Sequence, residues 1–174
     1  MSAGGRTALI GYGHPSRGDD AAGPMVVRRL RGMLPASVEI REVIGDGAAL
    51  MEAWNGFHRV VVVDAVVSGA PAGTVHRIDG RRLSEAGEFR SPSSHALGLR
   101  EAIRLAETLG RLPAELDIIG VEGRAFEMGS PVGPEVQEGI ARAAAILLDE
   151  FAAGEPGPVG GTGAPPPGAA RGDG

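Results

Sequence analysis

RVVVVDAV, residues 59–66, is a valine-rich run whose only acid is Asp64. Valines at both parities would place apolar groups on both faces of a strand, as in a central strand covered by helices on either side. Outward from it, short apolar runs alternate with segments of helical period. Further strands are predicted at Arg6–Tyr12, Val38–Val43, Thr74–Asp79 and Leu116–Glu122. Helices are predicted at Asp20–Leu34, Ala48–Asn55, His95–Leu109 and Gly133–Phe151. The pattern is that of an α/β protein: a three-layer α/β/α sandwich around a mainly parallel twisted sheet of about five strands. VHRID alternates more and follows the turn GAPAG, which predicts an antiparallel edge strand.

The 174 residues suit one domain, expected over 1–151. Residues 152–174 are rich in Gly, Pro and Ala and are expected to form a disordered tail, since they cannot bury enough surface to offset ordering entropy. A net charge of −5 offers no basic surface for nucleic acid. No stretch approaches the roughly 18 apolar residues of a membrane span, and MSAGGRT has no apolar signal core, so a cytoplasmic protein is expected. An acidic monomer is the default expectation. There is no cysteine, and all 17 basic residues are arginine. Thiolate sites, a P-loop lysine, Schiff-base chemistry and a Ser–Lys dyad are thereby excluded.

The polar residues that interrupt this apolar framework carry the chemistry. GYGHPSRGDDAAG, Gly11 to Gly23, follows the first strand and places two adjacent carboxylates, Asp19 and Asp20, at a helix start. Like charges this close are held by a cation, a helix N-terminus or a proton-transfer role. Asp64 lies near the end of the central strand, and His95 follows the polar turn SPSS, with Ser93 or Ser94 as a helix N-cap. In open α/β sheets, ligands bind where the carboxyl ends of strands meet helix N-termini. Asp20, Asp64 and His95 are therefore expected at one sheet edge. Two oxygens and one nitrogen suit a divalent metal such as nickel, zinc or manganese, and three protein ligands leave positions open for substrate or water. Taken singly, each has a structural reading: a cap and first-turn acid for Asp19 and Asp20, a turn cap for Asp64, a partly exposed polar residue for His95.

His14, in the same loop as Asp20, is a possible fourth ligand, whereas His58 and His76 are read as structural. Glu122 ends a strand and either orients the site or lies on the surface. Arg28, Arg29 and Arg31 read as a solvated helix face. Gly11, Gly13 and Gly18 do not form GxGxxG, so no nucleotide cofactor is expected. GxSxG and HExxH are both absent.

GYGHPSRGDDAAG, VVVDAVVSG, SSHALGL and DIIGVEG, in this order, resemble the hydrogenase maturation endopeptidases over roughly residues 6–150. The resemblance implies a twisted sheet between helices. It also implies a single cut that removes the C-terminal extension of a nickel–iron hydrogenase large-subunit precursor once its metal centre is assembled. The family's metal-contacting and catalytic positions, matched motif by motif, fall on Asp20, Asp64 and His95, and the metal they imply is nickel, presented by the substrate rather than permanently bound. The chain departs from the family pattern at His14, Pro15 and Ser16, where Asn, a variable residue and Leu are usual, and at Ala21, where glycine is frequent. Two other readings stay open: a metal-sensing protein that docks the precursor without cutting it, and a small α/β hydrolase whose acids work without metal.

Overall fold

The structure, a computed structural model, describes residues 5–83, 85, 89–90, 92 and 98–154. Five strands form one sheet: β1 (Thr7–Tyr12), β2 (Val38–Val43), β3 (Arg59–Val66), β4 (Val75–Asp79) and β5 (Glu115–Glu122). Their order is β2-β1-β3-β5-β4. The first four in that order run parallel, and β4 pairs antiparallel with β5 at the edge, as the alternation of VHRID predicts. β3 therefore has neighbours on both sides and is buried from Val60 to Val66, which is what a two-faced valine run requires.

Period-two alternation divides the core into two layers. Ile10, Val60, Val62 and Ile118 face α2 (Gly47–Trp54) and α3 (Leu99–Thr108). Leu9, Val61, Val63 and Ile119 face α1 (Ala22–Leu30) and α4 (Pro134–Ala153). The result is the expected three-layer sandwich. Among the described residues, no helix is long and apolar enough to cross a membrane. α4 ends at Gly154, whose φ of 73° gives it a left-handed cap. The tail expected over 152–174 lies, from residue 155 onward, outside the described residues.

Two helix starts differ from the sequence expectation. The segment expected as Asp20–Leu34 opens with a short 3-10 turn, Gly18–Ala21, and α1 runs only from Ala22 to Leu30. Neither acid caps the helix by a side-chain hydrogen bond: Asp19 accepts amides distant in sequence and Asp20 that of His14. Gly32, with φ of 77°, turns the chain away soon after α1 ends. α3 begins at Leu99 with Gly98 as N-cap, so His95 precedes that helix instead of opening it. Ser93, Ser94 and His95 lie outside the described residues. By contrast, α2 is capped conventionally: Asp46 accepts from the amides of Ala48 and Ala49 at 3.1 and 3.2 Å.

Candidate functional site

The sheet reverses its winding between β1 and β3, since β2 lies on one side of β1 and β3, β5 and β4 on the other. The crevice outside the carboxyl ends at such a switch point is where α/β sheets bind ligands. Glycine builds the approach to it. A Cβ on Gly23 would strike the carbonyl oxygens of Val63 and Tyr12, and one on Gly11 would meet the Gly23 carbonyl at 2.6 Å. The first turn of α1 thus rests directly on the backbone of β1 and β3, and the preceding turn packs against β3. Gly13, with φ of 137°, turns the chain over the end of β1 beneath the Asp20 carbonyl.

This geometry puts Asp20 in the turn beyond the end of β1 and Asp64 near the end of β3. Asp20 is only 4% exposed. Its Oδ2 accepts the His14 amide at 2.9 Å, with an Arg17 guanidinium nitrogen 3.9 Å away. Asp64 is fully buried in β3, opposite Gly120 of β5. By strand parity it shares the face of Val60 and Val62, and it lines a small cavity with Val66, Phe89, Arg90, Leu99 and Arg100. The cavity lies next to the amino end of α3, the helix that the His95 segment leads into. Among the described residues, no three His, Asp or Glu side chains are grouped to hold a metal ion, and the expected third ligand lies outside them. The donor set that is placed, two buried carboxylates, is hard-oxygen chemistry suited to a divalent cation.

The His14 ring is engaged within its own turn. Its Nδ1 accepts the Ser16 amide at 3.1 Å, so in the neutral ring the proton sits on Nε2.

Two further carboxylates shape the rim of the site. Asp19, 2% exposed, accepts the amides of Arg124 and Ala125 at 2.8 and 2.9 Å on Oδ2 and that of Gly133 at 2.9 Å on Oδ1. It thereby ties the chain after β5 to the chain after β1. Glu122 is buried, not on the surface. Its Oε1 accepts the amides of Ser68 and Gly69 at 2.8 and 3.1 Å. Its Oε2 takes the Ser68 hydroxyl at 2.8 Å and His76 Nε2 at 3.1 Å. These four donors fill the lone pairs of a carboxylate, so Glu122 fixes the turn after β3 and has no capacity left to act as a base. Burial alone would raise its pKa, but the bonds from Ser68, His76 and Gly69 outweigh it and hold the group below the ordinary range. His76, read as structural, is the clamp's fourth donor and stands edge-on to Phe89 with ring centroids 4.9 Å apart. The expected solvated arginines are partly paired: Arg28 and Arg31 both grip Glu42.

A family model described as hydrogenase maturation protease matches residues 25–150. The chain belongs to the hydrogenase maturation protease family. It is 30% identical over 140 residues to the protein FrxA of Pyrococcus furiosus, covering 79% of this chain and 99% of that one. It is 26% identical over 147 residues to the hydrogenase expression/formation protein HupD of Thiocapsa roseopersicina, covering 83% of this chain and 66% of that relative. Among solved structures it resembles the hydrogenase maturating endopeptidase HybD of E. coli, with a TM-score of 0.71 and 25% identity over 86% of this chain and 93% of that one. The maturation protease HybD of Thermococcus kodakarensis gives a TM-score of 0.68 and 28% identity, covering 84% and 99%. As a hydrogenase maturation protease the chain is a peptide-bond hydrolase, and the three-layer sandwich is the fold of that family.

Proposed function

We propose that this maturation protease removes the C-terminal extension of a nickel–iron hydrogenase large-subunit precursor, and does so after nickel has been inserted. Asp20, Asp64 and His95 meet the nickel that the precursor carries, so the metal belongs to the substrate. What supports the reading is a pair of buried carboxylates, Asp20 in the turn after β1 and Asp64 near the end of the neighbouring strand β3. A divalent ion at such a site polarises carbonyl groups and acidifies water, so hydrolysis can proceed near neutral pH.

The chain's own residues supply recognition and order. Asp20 is held by the His14 amide in a turn braced on β3, so its carboxylate approaches the crevice from a fixed direction. Asp64 is fixed by the sheet itself. Carboxylates at these two positions favour a filled precursor centre over an empty one, which makes cleavage conditional on loading. With neither cysteine nor lysine in the chain, the route runs through water, not through a thiolate or amine nucleophile.

Asp20→Asn and Asp64→Asn, each nearly isosteric, test the assignment. Each variant is expected to cut nickel-loaded precursor at least about 100-fold more slowly, a loss of roughly 3 kcal/mol of transition-state stabilisation, with an unchanged circular dichroism spectrum. Undiminished cleavage by either folded variant would remove that residue from the site.

A further inference from the structure

The chain segments after β3 and β5 leave a solvent-open groove of about 490 Å³ between them. Val67, Gly69 and Ala70 form one wall, Gly123, Arg124 and Phe126 the other, with Glu122 between them. Both walls are clamped from within the fold. Glu122 holds the amides of Ser68 and Gly69, and Asp19 holds those of Arg124 and Ala125. A groove fixed in this way binds a chain without first having to order its own loops.

Its position is informative as well. Val67 follows Asp64 by three residues, which at the rise of a strand places the groove about 10 Å along from that carboxylate. That is the span of about three residues of extended peptide. The wall residues are small or apolar except Arg124, which is exposed. Among the described residues, no carboxylate pairs with its guanidinium, whereas Arg28, Arg31, Arg59, Arg77 and Arg111 all have acidic partners. Its main chain is pinned by Asp19, so a cation without a carboxylate partner among the described residues is displayed from a rigid wall in a chain of net charge −5.

We propose that this groove seats the extended segment of the precursor flanking the cleaved bond, with Phe126 and Val67 receiving an apolar side chain and Arg124 pairing with an acidic one. This rests on the function proposed above and adds a specificity-determining residue to it. A guanidinium recognises carboxylate by a forked pair of hydrogen bonds, and it costs little to desolvate at a groove rim.

The test is steady-state cleavage of nickel-loaded precursor by the wild-type protein and by Arg124→Glu, at a position whose exposed side chain makes no ion pair among the described residues. A parallel set of precursors carries each acidic residue flanking the cleaved bond replaced by arginine. The expected result is a KM raised about tenfold in Arg124→Glu, with kcat within about twofold and an unchanged melting temperature. One arginine-bearing precursor should then be cut better by Arg124→Glu than by the wild type. An unchanged KM in Arg124→Glu, or a raised KM that no precursor restores, overturns the subsite and leaves the proposed function standing. Failure of the wild type to cut nickel-loaded precursor at all overturns both.

Discussion

Asp19 orders main chain 105 to 114 residues away from it. Adjacent to Asp20 in sequence, it has a different task, because its carboxylate is consumed by three amides of the loop after β5, while Asp20 accepts the His14 amide within its own turn. The division also relieves the repulsion between neighbours, since each charge is stabilised by its own set of donors. Asp19→Ala should leave three part-buried amides without their acceptor, and so lower unfolding free energy by about 1–3 kcal/mol in a urea titration. Asp19→Asn, which keeps one acceptor oxygen, should cost less. A loss under about 1 kcal/mol for the alanine variant would mean that the loop does not depend on this residue.

Among the elements, α1 is the one whose placement defines the site, and glycine decides that placement. Gly23→Ala would press a methyl group into the Val63 and Tyr12 carbonyls, lifting the helix and the Asp20 turn off the sheet. Overpacking of this kind costs about 1–3 kcal/mol, and here it should also reduce cleavage, because Asp20 moves with the helix. Full activity in Gly23→Ala would show that this close approach is not needed. The strands were legible from sequence to within a residue at each end, because valine-rich runs and a two-residue period reflect burial directly. The helix starts were less legible. The acids before α1 look like caps, but they accept from the His14 amide and from loop amides distant in sequence. The same reason limited the reading of the site. Asp20 and Asp64 could be assigned to the turn after β1 and the end of β3 from strand order and turn position. The clamps of Asp19 and Glu122 could not, since backbone amides are present at every position and leave no mark in a sequence.

Across the whole molecule, the end of the sheet opposite the site carries a partly buried charge cluster. Arg59 and Arg77 both bind Glu150 of α4, and Arg77 also reaches Asp117 at 3.1 Å. Burial pushes the Glu150 pKa up, but hydrogen bonds and charge from Arg77, then Arg59, more than reverse it and hold the group below its ordinary range. Its folded pKa is thus lower than its unfolded one, near about 4.3. The stabilisation is therefore complete above that value and is lost as pH falls through the folded pKa. Glu122 adds a contribution of the same sign. Glu150→Gln should be less stable than wild type by about 3 kcal/mol at pH 7, with the two urea curves converging toward pH 3. Curves that stay parallel across that range would contradict the linkage. The cluster anchors α4 to β3 and β4, at the end of the sheet away from the proposed precursor site. The most direct measurement there is the mass of a nickel–iron hydrogenase large-subunit precursor incubated with this protein, with and without nickel loading. Loss of the C-terminal peptide only from the loaded sample is the predicted result; equal loss from both samples would contradict recognition of the substrate's metal, and loss from neither would contradict the cleavage itself.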